Sequence, residues 1–553
     1  MTIDKDLQSI QEARELVKRA VEAQLEFRNF SQEKVDRVCK AMAEAGYAAA
    51  AQLGRLACEE TGFGKPEDKK LKNEFGTKWT WESIKDLRTV GVIRKDPEKR
   101  ILEIAEPMGV VAALIPSTNP TSTVMFKALI CVKGRNAMVS SAHPRAVRCT
   151  SEAVHILADA AEREGAPRGL ITCMSVITME GTKELLRHRD VDLILATGST
   201  AMVRDAYSLG KPAYGVGSGN VPAFIERTAN IKKAVADVLS GKLFDYGTLC
   251  STESSLICDA PIKSQVVEEC KKRGGYFVSQ EERMKLDKTM FDFRGAINPE
   301  IVGKPAAYIA NKAGFSVPPE TTVLIAELKG VGRDYPLSRE KLSPVLSFYT
   351  EDGWRDACHR CIELLRFGGL GHTLVIHSND EDIIMKFALE KPSFRILVNT
   401  QAALGAVGYT TGLDPSMTLG PGTLGGSIIS ENVTARHLIQ IKRLAYETNP
   451  INPAEKGIAT PTVKDIERHF RPAEKSWMEE IEERIRLKAG NPPVMKKEKI
   501  QPAKRTPTEK EVKKSAVYGT GISEEEIQKI IKDFSEPARR APSGEAHQPP
   551  AEK

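Results

Sequence analysis

Over residues 4–90 the apolar positions recur at spacings of three and four, as in Leu7, Ile10, Ala13, Leu16, Val17, Ala20 and Val21, and an alanine-rich run follows from Val35 to Leu56. That period places them on one face, which predicts amphipathic helices leading into the body. From about Leu102 the pattern changes to short apolar runs closed by Gly, Pro, Asn and Ser: EPMGVVAALIPSTNPTS, CVKGRNAMVSSAHPRA and VDLILATGST. Continuous apolar runs of this length are predicted to be buried strands of a parallel sheet. Helical stretches at Ser151–Glu164 and Gly181–His188 lie between them. The strand-helix-strand rhythm predicts a doubly wound α/β domain, with ligands beyond the carboxyl ends of its strands. A second α/β stretch, about Pro222 to Thr400, carries strand candidates at Ser254–Cys258, Val323–Ala326, Leu346–Tyr349, Thr373–Ile376 and Arg395–Asn399. After the glycine-rich segment Gly405–Gly426, helices are predicted at Thr434–Tyr446 and Pro472–Ala489.

The chain has 553 residues, 41% hydrophobic and 28% charged, enough for two or three domains with their own cores. Its net charge of +6 is too close to balance to mark the whole chain as a nucleic-acid binder. Half of that excess lies in residues 491–553, which hold 13 Lys+Arg against 10 Asp+Glu and 8 of the 31 prolines. The segment NPPVMKKEKIQPAKRTPTEKEVKK has few large apolar groups, so residues 491–516 are predicted to be a disordered linker. Glu498, Glu509 and Glu511 interrupt its lysines and it has no aromatics, which argues against nucleic acid or a membrane surface as partner. Beyond it, Ser523 and Glu526 form a capping-box pattern, and Ile527, Ile530, Ile531 and Phe534 make one apolar face. Residues 517–540 are therefore expected to form an amphipathic helix that seeks a partner groove, and residues 541–553 to be disordered. No charged lead and apolar run opens the chain, and its longest apolar stretch, Met108 to Pro116, falls far short of the ~20 residues of a membrane span. A cytoplasmic location is expected. Ten scattered cysteines fit free thiols in a reducing compartment.

Three segments carry candidate chemistry. Cys250 lies in LFDYGTLCSTESSLI, where a loop leads into a strand, the kind of setting that can expose and stabilise a thiolate. Cys131, Cys173 and Cys258 sit in apolar runs and read as inert core residues; Cys358 and Cys361 share one predicted helix without a second ligand pair. Asn119, at a strand-to-loop junction, either fixes a turn or offers its amide to a developing oxyanion. The loop Thr197-Gly198-Ser199-Thr200 has the small and hydroxylated residues that suit close approach of a nucleotide.

In this order the segments resemble the aldehyde dehydrogenase superfamily, and within it the CoA-acylating branch, including the N-terminal half of bifunctional aldehyde-alcohol dehydrogenases. The matching stretches include PMGVVAALIPSTNPTSTVMFKALI, RNAMVSSAHPRA, VDLILATGSTAMVRDAYSLGKPAYGVGSGNVPAFI, KLFDYGTLCSTESSLI, EKLSPVLSFY, GGLGHT and LGPGTLGGSIISENV, spread over roughly residues 4–447. The resemblance implies an α/β fold of two doubly wound domains with a small oligomerisation element. Its parts would be a cofactor-binding domain over 1–225, completed by about 400–440, a catalytic domain over 226–399 and C-terminal helices over 441–490. It implies Cys250 as the nucleophile and Asn119 as the oxyanion-hole amide. Pro116, Ser117, Thr197, Gly198, Ser199, Gly217, His143 and Arg145 would contact the dinucleotide, with Glu340 on the nicotinamide ribose. His372 resembles a histidine common in the acylating branch, either structural or a proton carrier, and Gly422 lies in another matching glycine loop. NAD is the expected cofactor, with NADP open through Arg145, and coenzyme A the co-substrate; a homodimer or homotetramer and no metal are expected.

Two departures refine this. One is at His143-Pro144-Arg145, where hydrolytic relatives carry a lysine that binds the adenosine ribose and Arg145 could meet a 2'-phosphate or the CoA phosphates; the other bears on the acyl acceptor. Hydrolytic relatives carry a glutamate two residues before a Gly-Gly pair to activate water, whereas Tyr214-Gly215-Val216-Gly217-Ser218-Gly219-Asn220 holds no carboxylate. CoA, itself a good nucleophile, is then the expected acyl acceptor, and acetaldehyde or propionaldehyde the leading substrates. The bifunctional relatives continue into an iron-dependent alcohol dehydrogenase, which has no counterpart here; linker and helix instead resemble the encapsulation peptides of bacterial microcompartment enzymes. The expected partners are shell or core proteins, and the expected location is the microcompartment lumen. The alternatives are a hydrolytic aldehyde dehydrogenase and a non-catalytic scaffold acting through its tail.

Overall fold

The structure is a computed structural model that describes residues 4–198, 200–449 and 451–452. The chain divides into two units, Met1–Val463 and Lys464–Lys553, and every described residue belongs to the first. The expectations at Ser199, for helices within 453–490, and for the linker and helix over 491–553 lie outside the described residues.

The helical lead-in forms as its periodicity predicts. Lys5–Phe27, capped by Asp4, buries Ala13, Leu16, Val17 and Ala20; Gln32–Ala48, capped by Ser31, buries Val35, Val38, Cys39 and Met42. Ala50–Thr61 ends at Gly62, whose φ of +70° closes the helix in the left-handed conformation.

The apolar runs then build a five-stranded parallel sheet in the order Ile171–Cys173, Ala137–Ala142, Val110–Ile115, Leu193–Thr197, Ala213–Val216. Of these five, the strand that comes first along the chain, Val110–Ile115, is central and the later ones add outward on both sides, the doubly wound order. The helix Pro120–Lys133 that follows the central strand is buried along its whole length. Its Lys127 donates to Leu114 O and Leu195 O, both at 2.8 Å, and so bridges the two strands at the switch point; burial brings its pKa down to about 7.

A seven-stranded parallel sheet has the order Gly275–Phe277, Val323–Glu327, Val345–Glu351, Glu253–Asp259, Val221–Ile225, Leu374–His377, Ile396–Val398. Its members include every strand expected in the second α/β stretch. A third, antiparallel sheet pairs Ile101–Pro107 with Gly91–Asp96 on one side and Ile439–Ala445 on the other. Here the expected helix Thr434–Tyr446 is corrected: a 3-10 turn at Ala435–Leu438 runs into a strand in register from Ile439 opposite Pro107 to Ala445 opposite Ile101. The β-branched Ile439 and Ile441 fit either period, and the ladder offered by Ile101–Pro107 decides between them.

Candidate active site

At the switch point of the five-stranded sheet, the strands Val110–Ile115 and Leu193–Thr197 lie side by side and release Pro116, Ser117 and Asn119 from one, Thr197 and Gly198 from the other. The turn carrying His143 and Arg145 is tied to the first of these loops, because His143 N donates to Ile115 O at 3.0 Å. The His143 ring is partly buried and accepts from Arg145 N at 3.1 Å, while Arg145 itself is exposed. Gly198 N donates to Val216 O at 3.2 Å, which brings the Gly217 loop alongside. Pro116, Ser117, His143, Thr197, Gly198 and Gly217 therefore share the carboxyl edge of this sheet, the usual place for a dinucleotide.

The second sheet presents its opposite end. Glu340, Cys250, the Gly217–Asn220 loop and His372 each lie shortly before one of four consecutive strands: Val345–Glu351, Glu253–Asp259, Val221–Ile225 and Leu374–His377. The residues expected to contact a dinucleotide thus lie at the carboxyl ends of one sheet, while the thiol sits at the amino ends of the other. These loops touch. A Cβ built on Gly219 would lie 2.0 Å from Cys250 O and 3.4 Å from His372 Cε1, so only glycine lets them approach so closely. Glu340 Oε1 accepts from Gly219 N at 3.1 Å. Gly422 follows Pro421, whose carbonyl oxygen would meet a Cβ on Gly371 at 1.9 Å, so that glycine loop abuts the His372 turn.

Cys250 is half-buried. Burial and the nearby Glu340 push its thiol up to about 12, against the opposing fields of Arg395 and Lys72. The Glu340 carboxyl is raised to about 7 by burial, with the Gly219 N–H and Lys242 opposing. The His372 ring, brought down to about 3 by burial and by Arg395, is neutral at physiological pH. Its Nδ1 pairs with Thr373 Oγ1 at 2.9 Å and its buried Nε2 has no protein partner. Arg395 donates to His372 O, Gly420 O and Asn432 Oδ1 and holds these loops together.

The approach to the thiol is unusual backbone: Asp245, Tyr246 and Gly247 take positive φ values of 50°, 49° and 74°. For the two non-glycines this costs roughly 1–2 kcal/mol each. The buried Asp245 carboxylate offsets it by accepting from Lys65 N, Lys69 Nζ, Lys72 Nζ and Thr248 Oγ1. Burial alone would raise its pKa, but Lys72 and Lys69 outweigh that and hold it at about 2. Asn119 precedes a helix yet its side chain caps nothing; Oδ1 accepts from Lys72 Nζ at 2.6 Å and Nδ2 donates to Thr248 O at 3.3 Å. A small apolar cavity, to which the nucleophile segment contributes Phe244 and Leu249 but not Cys250, is completed by Phe75, Leu404 and Met417, with Lys72 in its wall.

The structure thus gathers Cys250, Asn119, Glu340, His372 and the Gly217 loop, and puts Thr197 against Thr418 of the loop behind them at 3.4 Å. Sequence reading missed Lys72, Asp245 and Arg395. In PEDKKLKNE a lysine looks like solvated surface; the available signal was that Lys69, Lys72 and Asn73, spaced three and four apart, share a helix face. That face is the buried one.

Residues 6–280 match the family model described as the aldehyde dehydrogenase family. A bifunctional aldehyde-alcohol dehydrogenase of Escherichia coli is 41% identical over 442 residues, covering 79% of this chain and 50% of that protein. The chain spans about half the length of the curated relatives of this bifunctional kind that it matches. Among solved structures, an acetylating aldehyde dehydrogenase from Geobacillus thermoglucosidasius is 48% identical with a TM-score of 0.80, covering 82% of this chain and all of that one. A propionaldehyde dehydrogenase from the Clostridium phytofermentans fucose utilisation bacterial microcompartment is 25% identical with a TM-score of 0.72, covering 80% and 98%. With a half-buried thiol set between a dinucleotide-type switch point and the strand ends of a second sheet, and with full-length structural relatives at this identity, the chain belongs to the aldehyde dehydrogenase family.

Proposed function

We propose that this protein is a CoA-acylating aldehyde dehydrogenase that converts a short-chain aldehyde, CoA and NAD(P)+ to acyl-CoA and NAD(P)H, with NAD the preferred cofactor. The observation that carries this reading is the thiol of Cys250 beside a loop, Tyr214–Asn220, that offers it no carboxylate. Similarity to an acetylating enzyme supports it.

In this reading the Cys250 sulfur adds to the aldehyde carbon, and the Asn119 amide with the backbone N–H of Cys250 receives the charge on the oxygen. The bound dinucleotide supplies the hydride acceptor that turns the adduct into a thioester. Pro116, Ser117, Thr197, Gly198, Ser199, Gly217, His143 and Arg145 hold it, and Glu340 takes the nicotinamide ribose. The thiol of CoA then attacks the acyl carbon and Cys250 leaves. The neutral His372 ring has an unpartnered Nε2 that can hydrogen-bond an incoming thiol, but at about 3 it is too weak a base to hold that thiol's proton, which favours its structural role. Acetaldehyde and propionaldehyde are the leading substrates in this reading, in line with the similarity to an acetylating and a propionaldehyde dehydrogenase.

A homodimer or homotetramer fits this reading. The linker and amphipathic helix pattern over 491–540, together with the similarity to a microcompartment enzyme, supports packaging in a microcompartment lumen through shell or core proteins. The deciding experiment is a panel of short aldehydes with NAD or NADP, with and without CoA, read as NAD(P)H and acyl product. Sustained turnover only with CoA is expected. Equal turnover to free acid without CoA would make the protein hydrolytic, and nucleotide binding with no thiol-dependent turnover would make it a scaffold.

A further inference from the structure

Behind the nucleophile loop lies a charge cluster that the reaction as described does not use. Lys72, on the helix Pro66–Glu74, is 3% exposed and its ammonium has three partners: Asn119 Oδ1 at 2.6 Å, Asp245 Oδ2 at 2.5 Å and Thr248 Oγ1 at 3.0 Å. A lysine ammonium offers three donors and no acceptor, so all three are committed. Thr248, two residues before Cys250, donates a hydrogen bond from its hydroxyl to Asp245 Oδ2 at 2.6 Å. Lys69 adds a second anchor through Thr118 O at 2.9 Å and Asp245 Oδ2 at 2.9 Å.

This pattern decides which way the Asn119 amide faces. Because Lys72 only donates, the atom it touches must be the carboxamide oxygen, and the two N–H bonds must then point away from it. On that side Nδ2 makes two long contacts, with Thr248 O of the loop that carries the thiol at 3.3 Å and with the neighbouring Thr118 Oγ1 at 3.2 Å. A flipped amide would set an N–H against an ammonium and turn its oxygen toward the developing charge. Contact with a cation also draws electron density from the amide nitrogen and strengthens its donors. Burial lowers the Lys72 pKa to about 8, with Asp245 opposing.

We infer that Lys72 is a positioning residue for acyl transfer: anchored by Asp245 and Thr248, it fixes Asn119 with its N–H groups toward the oxygen of the Cys250 adduct. The inference rests on the acylating reading above and adds to it a residue to which that reading gives no part. Removing Lys72 leaves Lys69 paired with Asp245, so the cluster keeps one cation for its anion.

The test is a double-mutant cycle on the full chain, read as first-turnover NADH formation with a short aldehyde, KM for that aldehyde, and the rate at which iodoacetamide alkylates Cys250. Losing a whole oxyanion donor typically costs about 100- to 1,000-fold. Asn119→Ala should show that loss, and Lys72→Met, which frees the amide to turn, a fall of about 10- to 100-fold with KM and alkylation within about threefold. In the Asn119→Ala background, Lys72→Met should cost no more than about a further twofold. Lys72→Gln, which restores one N–H, should fall between wild type and Lys72→Met. Losses that multiply, or alkylation that falls in step with turnover, would overturn the assignment while leaving the acylating reading intact. A wild-type protein with no CoA-dependent turnover would remove both.

Discussion

The thiol of Cys250 is the sharpest place to test this structure. In the free protein its pKa stands at about 12, where an ordinary thiol lies at 9.0, because burial and Glu340 disfavour the thiolate more than Arg395 and Lys72 favour it. Three units correspond to about a thousandfold less thiolate at any pH below the ordinary value, so about one molecule in ten thousand is ionised at pH 8. Since the thiolate is the reactive form, alkylation of Cys250 by iodoacetamide should rise about tenfold per pH unit from pH 7 to 10 without levelling off. The assay is mass spectrometry of the Cys250 peptide, with Cys250→Ala as the blank for the other nine cysteines. Glu340→Gln removes the second-largest cause of the shift and should speed labelling at fixed pH with the slope kept. A plateau near pH 7 or 8 would refute the reasoning, because it would mean that the resting site already stabilises the thiolate.

Two further outcomes are expected. Gly219→Ala puts a methyl group 2.0 Å from Cys250 O, so it should leave a folded protein by circular dichroism with turnover reduced at least about 100-fold; wild-type turnover would show that the nucleophile loop and the Gly217–Asn220 loop do not pack as described. A reporter fused to residues 517–540 should enter assembled microcompartment shells, and Ile530→Asp with Phe534→Asp should abolish entry; a reporter that stays diffuse would count against packaging.

Much of the fold was legible in the sequence because burial writes itself into periodicity. Fully buried parallel strands read as continuous apolar runs, so Val110–Ile115, Leu193–Thr197 and all five expected strands of the second stretch could be placed along the chain. The segment Ile439–Ala445 misled because its residues after Ile439 are exposed in the strand, leaving no apolar face to give the period away. Cys250 and Asn119 stood out through their loop settings and the order of the motifs around them.

The sequence by itself determined the α/β class, the helical lead-in and the kinds of residue able to do the chemistry, since these depend on local periodicity and side-chain type. Only the tertiary structure decided that the carboxyl edge of one sheet meets the amino edge of another, because that depends on strand order and crossovers between segments far apart in the chain. It alone took Lys72 out of a charged surface-like segment and set it against Asp245 and Asn119, 173 and 47 residues away. The energy of a buried charge comes from the partners that desolvate and pair it, and those partners are contributed by other parts of the chain.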